Sequence, residues 1–113
     1  MSTLEHLKAR KKTKDALEVM AKDFIKPFID ARVEMTKKDL TQMIEERLLE
    51  GKFFGENTVK IQKGFSLRRW IFGYEDGRIS CATVGGFWIE FFLEKNVIFL
   101  IIHSSYYDSG LDY

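Results

Sequence analysis

The sequence predicts an α+β fold in which two N-terminal helices pack on an antiparallel meander sheet of four to five strands. Apolar residues recur at helical spacing up to about residue 50 and alternate with polar ones from Val59 onward. Residues 64–113 hold 12 of the 16 aromatic residues, whereas residues 1–63 hold 14 of the 18 basic ones. Neither half is long enough to bury a core by itself, so a single domain over residues 1–113 is predicted.

Composition excludes several classes of protein. The chain is 45% hydrophobic with one proline, which is unlike disordered or collagen-like sequences. Its longest apolar run, Val97–Ile102, is far shorter than the roughly 20 residues of a membrane span. The N-terminus has no secretory signal pattern, and the single cysteine, Cys81, has no partner for an internal disulfide. A cytoplasmic protein is therefore expected.

The first helix is predicted from a buried stripe that begins at Ala16. Leu4 and Leu7 offer an upstream extension, but residues 9–15 are almost entirely polar. Pro27 lacks the backbone donor and restricts Lys26, so a kink or a break is expected near Lys26. The stripe consists of Leu17, Met20, Ala21, Phe24, Ile25, Phe28 and Ile29.

A second helix is predicted over residues 37–50. Thr36 and Asp39 have the spacing of a capping box, and Gly51 lies where a left-handed terminating residue is expected. Its buried face is predicted to hold Leu40, Met43, Ile44 and Leu48, with the stem of Arg47.

Three turns define the predicted strands 67–75, 78–84, 87–93 and 97–103, with 58–63 as an edge strand. Asp76-Gly77 and Gly85-Gly86 are two-residue turn signals, and Glu94–Asn96 reads as a three-residue loop. The resulting register pairs Glu75 with Arg78, Val84 with Phe87, and Leu93 with Val97.

This register predicts two apolar sheet faces. The helices are assigned to the first face, which holds Ile71, Gly73, Ser80, Ala82, Val84, Phe87, Ile89, Phe91, Leu93, Val97, Phe99 and Ile101. The second face holds Trp70, Phe72, Tyr74, Ile79, Cys81, Thr83, Trp88, Glu90, Phe92, Ile98, Leu100 and Ile102. Three covers for the second face stay open: the N-terminal helix, a second copy of the chain, or a partner or ligand.

The aromatic residues of the second face are the candidate partner-binding surface, because Trp and Tyr dominate interface energetics. The predicted contact residues are Trp70, Phe72, Tyr74, Trp88 and Phe92, with Tyr106 and Tyr107 at the rim. The tail 104–113 is either a flexible end or an adaptable contact segment.

Glu90 is the candidate buried acid. Among apolar neighbours its pKa would rise, which prepares a carboxyl group for proton transfer; pairing with Arg68 or Arg69 is the structural alternative. A ribonuclease-like set of His103 with these arginines is disfavoured, because the register directs His103 to the first face and Arg68 to the second.

The basic N-terminal segment, residues 1–14, is a candidate nucleic-acid contact. The alternative is a solvated or frayed helix end. The candidate contacts are Lys8, Arg10, Lys11, Lys12 and Lys14, together with Arg68 and Arg69.

No metal or cofactor is expected from the sequence. One cysteine and two distant histidines, His6 and His103, do not have the spacing of a zinc site, and no glycine-rich phosphate loop is present. The leading hypothesis is a non-enzymatic protein-binding module, such as an inhibitor, an antidote or immunity-type protein, or a regulator, that binds a protein partner or forms a homodimer. The alternatives are a nucleic-acid-binding protein or small metal-independent ribonuclease, and a small-ligand pocket around Glu90.

Overall fold

The protein has an α+β fold, as predicted, with two helices and a four-stranded sheet. The computed structural model describes residues 3–30, 35–62, 73–74 and 76–103, with only the backbone of Arg10. Its elements are α1 (Thr3–Asp30), α2 (Lys37–Glu50), β1 (Thr58–Gln62), β2 (Gly77–Val84), β3 (Phe87–Glu94) and β4 (Val97–His103).

The described sheet is mixed rather than purely antiparallel. Its strand order is β1-β4-β3-β2, and β1 runs parallel to β4 while the other two pairs are antiparallel. The expected antiparallel meander is therefore wrong for β1, because no turn signal adjoins that segment to fix its direction. The predicted strand 67–75 lies outside the described residues, apart from Gly73 and Tyr74, which are not in a strand.

Helix α1 begins at Thr3, thirteen residues before the predicted start of the stripe at Ala16. Nine of the thirteen residues from 3 to 15 are Lys, Arg, Leu, Ala or Glu, which favour helix without any buried face. Leu17 is the first buried residue of α1 whose side chain is described. The first turns of α1 thus extend a helix that is held in place by its C-terminal half.

Helix α1 also continues through Pro27 to Asp30, so there is no break. A proline at this position leaves the carbonyl of Asp23 without its usual helical donor. The Arg47 guanidinium of α2 lies at this carbonyl: its Nη2 donates to the oxygen of Asp23 at 3.5 Å and its Nε to that of Phe24 at 2.7 Å. It also lies over the ring of Phe53, 4.3 Å from the centroid.

Helix α2 occupies residues 37–50 as predicted, and its capping box is confirmed. The backbone N–H of Asp39 donates to Thr36 Oγ1 at 3.1 Å, and the Thr36 N–H donates to Asp39 Oδ2 at 3.2 Å. The hydrogen bond from the Thr36 backbone lowers the pKa of Asp39. Gly51 follows the helix with φ 179° and ψ −177°, so it is extended and the left-handed ending predicted there is wrong.

Both helices pack on the same face of the sheet. Buried residues of α1 and α2 form one hydrophobic cluster with alternate residues of β3 and β4; Phe24 contacts Phe54, whose ring lies 5.9 Å from that of Phe91. Helix α1 therefore does not cover the opposite face, which removes the first of the three predicted covers. The sheet residues of this core are Ile79, Val84, Ile89, Phe91, Leu93, Ile98, Leu100 and Ile102.

The turn between β3 and β4 differs from the prediction by one residue. Glu94 pairs with Val97 and Leu93 with Ile98, so the loop has two residues, Lys95 and Asn96, instead of three. Lys95 adopts φ 58°, and its backbone N–H donates to Asp76 Oδ2 at 2.8 Å. The correction reverses the faces of β4: Ile98, Leu100 and Ile102 point to the helices, and Val97, Phe99 and Ile101 point away.

The register between β2 and β3 agrees with the prediction from Ser80 to Val84. It departs from the prediction on the N-terminal side of Ser80. The Gly85-Gly86 turn is confirmed by the pairing of Val84 with Phe87. A bulge between Arg78 and Ser80 leaves Ile79 as an extra, buried residue. The preceding turn is closed by a hydrogen bond from the Gly77 N–H to the Tyr74 carbonyl, one residue earlier than the predicted Asp76-Gly77 turn.

Candidate functional site

The sheet face opposite the helices carries a cluster of partly buried polar and aromatic side chains. We call it the outer face. Its described residues on the three antiparallel strands include Arg78, Cys81 and Thr83 of β2, Trp88, Glu90 and Phe92 of β3, and Phe99, Ile101 and His103 of β4.

Glu90 lies at the centre of a three-residue polar network on this face. Its Oε1 is 2.9 Å from His103 Nε2, and its Oε2 accepts a hydrogen bond from Arg78 Nη1 at 3.3 Å. The side chains of Glu90 and His103 are only 14% and 10% exposed, whereas that of Arg78 is 52% exposed. The network therefore reaches from a nearly buried imidazole to a guanidinium in contact with solvent.

Two local irregularities bring these three residues together. Regular alternation would place Arg78 on the helix-covered face, but the bulge at Ile79 turns it to the side of Glu90. The two-residue turn after Glu94 places His103 opposite Trp88, on the outer face instead of the predicted first face. The first-face position predicted for His103 is thus wrong, and both His103 and Arg78 contact Glu90, whereas Arg68 and Arg69 lie outside the described residues.

The network fixes the charge state of Glu90. Burial by itself raises the pKa of its carboxyl, but the hydrogen bonds and charges of His103 and Arg78 outweigh burial and hold that pKa below its ordinary value. This direction is opposite to the raised pKa expected for a proton donor. Glu90 is ionised at neutral pH, where it accepts hydrogen bonds and orients the His103 ring.

An aromatic cluster occupies the end of the outer face near the β3–β4 turn. Tyr74 stacks on Phe92 with ring centroids 4.5 Å apart, and its ring also contacts Phe99 at 5.2 Å. Tyr74 precedes β2 and is not part of the sheet, so it partly covers the outer face from above. Trp88 lies towards the other end of β3, half-buried, between the exposed Thr83 and the buried His103.

The structure brings some of the predicted site residues together and separates others. Tyr74, Trp88 and Phe92 share the outer face. Glu90 lies between Trp88 and Phe92 on β3. The basic residues Lys8, Lys11, Lys12 and Lys14 belong to α1, which packs on the opposite face. The remaining predicted residues lie outside the described part of the chain: Trp70, Phe72, Tyr106, Tyr107, Arg68 and Arg69, as does the side chain of Arg10.

The described residues contain neither a metal-binding cluster nor a membrane-spanning helix. Within them, no group of three or more His, Cys, Asp or Glu side chains is arranged to hold a metal ion. Over the same ranges, neither helix combines the length and the apolar character that crossing a membrane requires.

Comparison with protein-family models, with curated protein sequences and with solved structures found no match.

Proposed function

We propose that this is a small, non-enzymatic, cytoplasmic protein that acts by stoichiometric contact with a protein partner through its outer face. An inhibitor, an antidote or immunity-type protein, and a regulatory protein all act in this way. The single cysteine supports a reducing compartment.

The observation that carries the proposal is the composition of the outer face. Tyr, Trp and Arg are the residues that most often supply the binding energy of protein interfaces, and Tyr74, Trp88 and Arg78 all lie on this face. Trp88 is half-buried and Arg78 is half exposed, so both have surface left for a partner. Aromatic rings beside a solvent-facing guanidinium match the apolar centre and polar margin of such interfaces.

The polar network contributes orientation to this surface. Pairing with Glu90 holds the Arg78 guanidinium at one position, while part of its donor set still faces solvent. A guanidinium fixed before binding loses less conformational entropy when a partner docks. Glu90 and His103 thus support a contact residue and are not themselves the contact.

The ionised state of Glu90 weakens the small-ligand alternative in which this residue donates a proton. Its pKa is lowered, so at neutral pH it has no proton to give.

The test uses two variants of the outer face and one control. Trp88→Ala removes a half-buried aromatic residue of the outer face, and Thr83→Arg adds a bulky charge at the exposed position paired with Trp88. Leu49→Ala is the control, since Leu49 is 87% exposed on α2. Each tagged protein is used to capture proteins from a lysate of the source cells, and captured proteins are purified and remixed for light scattering. Circular dichroism checks that every variant folds.

The expected result is a one-to-one complex that the wild-type protein and Leu49→Ala form and that both outer-face variants lose. Sedimentation velocity of the protein alone tests whether the partner is a second copy. The proposal is overturned if no protein forms a stoichiometric complex and the chain stays monomeric, or if neither outer-face variant weakens the complex.

A further inference from the structure

The first turns of α1 are a part of the molecule that the proposed outer-face function does not use. Residues 3–15 contain five basic and two acidic residues. Every described side chain from Thr3 to Ala16 is exposed except that of Lys14, which is half-buried. The helix here carries a local positive charge and adds no residue to the hydrophobic core.

Position around the helix separates two sides of this segment. At 3.6 residues per turn, Lys8, Lys11 and Lys12 fall within an arc of about 100° on the outward side. The sheet-facing side lines an open cleft of about 210 Å³ with the β2 start and the β3–β4 turn. The lining residues of this cleft are His6, Ala9, Thr13, Lys14, Asp76, Leu93 and Lys95.

We propose that this segment, which we call the basic arm (residues 3–15), binds the phosphate backbone of duplex DNA without sequence preference. The inference is independent of the proposed outer-face function, because the arm packs on the other side of the sheet. Its outward lysines contact phosphates, and the helix lies along the groove.

The spacing of the lysines and the helical shape of the basic arm support DNA as its ligand. Lys8 and Lys12 are separated by about 6 Å along the helix axis, since each residue rises 1.5 Å. Phosphates of one strand of B-DNA recur about every 3.4 Å of rise along the DNA axis, so long lysine side chains within one arc can each reach a phosphate. The major groove of DNA admits an α-helix, whereas the deep, narrow major groove of duplex RNA does not.

Other anionic surfaces fit the arm less well. A helix that lies on a membrane separates an apolar face from a basic one, but here Leu4 falls within the lysine arc and Leu7 beside it. Proteins that bind single strands stack bases on aromatic side chains, and residues 3–15 contain no Phe, Trp or Tyr.

The experiment uses fluorescence anisotropy to measure binding of the full chain to a fluorescein-labelled DNA duplex across a series of salt concentrations. The duplex has 20 base pairs, which is about two helical turns. The arm variant is Lys8→Ala/Lys11→Ala/Lys12→Ala, which retains good helix formers. The matched control, Lys37→Ala/Lys38→Ala/Lys52→Ala, removes the same charge from exposed lysines outside α1. Duplex RNA, single-stranded DNA, polyglutamate and anionic lipid vesicles are tested in parallel, and circular dichroism compares helix content.

The wild-type protein is expected to bind the DNA duplex with an affinity that falls steeply with salt. The arm variant should bind at least about tenfold more weakly at low salt, with a slope of log affinity against log salt shallower by about 2.7, since each phosphate contact contributes about 0.9. The control should stay within about twofold of wild type, because distant charges are screened.

Three results overturn the inference. The first is the absence of salt-dependent DNA binding at low ionic strength. The second is an equal loss in the arm and control variants, which would reflect net charge alone. The third is equal or tighter binding of RNA, single strands, polyglutamate or vesicles. None of these results bears on complex formation through Trp88, so the two proposals fail separately.

Discussion

Arg47 shows how one side chain can compensate for a proline inside a helix. The carbonyl of Asp23 would normally accept a hydrogen bond from residue 27, and Pro27 has no N–H to donate. Arg47 approaches this carbonyl and donates to the neighbouring one of Phe24 at 2.7 Å. A hydrogen bond from a charged donor contributes more than a neutral one, and the bond to Phe24 is partly buried, so the guanidinium stabilises both the helix and its contact with α2.

We predict that Arg47→Met lowers the free energy of unfolding by about 2 kcal/mol, because it removes a charged hydrogen bond and the cation–π contact with Phe53 but keeps the apolar stem. Urea denaturation followed by circular dichroism measures the loss. In a Pro27→Ala background the restored N–H replaces part of the donation, so the same substitution should cost less there. An equal cost in both backgrounds would contradict this account.

Among the structural elements, the caps and turns that depend only on residues adjacent in the chain can be predicted from the sequence. The capping box of α2 needs only Thr36 and Asp39, and the Gly85-Gly86 turn needs only two residues that accept unusual backbone angles. Both predictions are confirmed, because no residue distant in the chain decides these two features.

The elements that differ from prediction are decided by cross-strand packing. Lys95 adopts φ 58°, a conformation usually found at Gly, Asn or Asp, so a lysine at this position does not indicate a two-residue turn. The shorter turn lets Ile98, Leu100 and Ile102 join the core, which outweighs the strain at one residue. The bulge at Ile79 likewise buries an isoleucine.

These two irregularities also explain why the polar network was not foreseen. The apolar neighbours of Glu90 in the sequence mark it as a candidate, but its partners depend on which sheet face Arg78 and His103 occupy. A shift of one residue in either strand sends such a side chain to the other face. Site residues can therefore be predicted singly from sequence, while their grouping needs the register.

The two halves of α1 should differ in their contribution to stability. Lys12 is exposed in the basic arm, whereas Ala21 is fully buried in the core. Glycine costs about 1 kcal/mol relative to alanine inside a helix. We predict that Ala21→Gly lowers the global free energy of unfolding by at least about 1 kcal/mol, while Lys12→Gly lowers it by less than about 0.5 kcal/mol because the first turns open locally.

Urea denaturation measures both global values, and hydrogen exchange measures local opening of the arm. Amides of residues 5–12 should exchange faster in Lys12→Gly, and those near Phe24 should be unchanged. Equal global losses from the two substitutions would mean that the arm folds as part of the core.

At the scale of the whole molecule, the two faces of the described sheet differ in the interactions that they carry. The face under the helices carries the hydrophobic cluster, and the outer face carries the ionic network. The low exposure of Glu90 and His103 places their interaction in a partly desolvated setting, where it is screened less by salt than a surface ion pair. The outer face should therefore make the stability of the whole fold depend on pH.

The sign follows from the lowered pKa of Glu90. Its stabilising interaction is fully present above the pKa of glutamate in the unfolded chain, about 4.3, and is lost as pH falls through the lower pKa of the folded state. We predict that Glu90→Gln lowers the free energy of unfolding at neutral pH by about 1–2 kcal/mol, because Arg78 and His103 lose their anionic partner. The difference from wild type should shrink as the pH falls below the unfolded-state pKa and Glu90 becomes protonated in the folded protein. Glu56→Gln, at a side chain 90% exposed, is the control and should show little effect at any pH. Urea denaturation across this pH range measures the difference, and a gap between wild type and Glu90→Gln that stays constant would show that the carboxylate charge does not stabilise the fold.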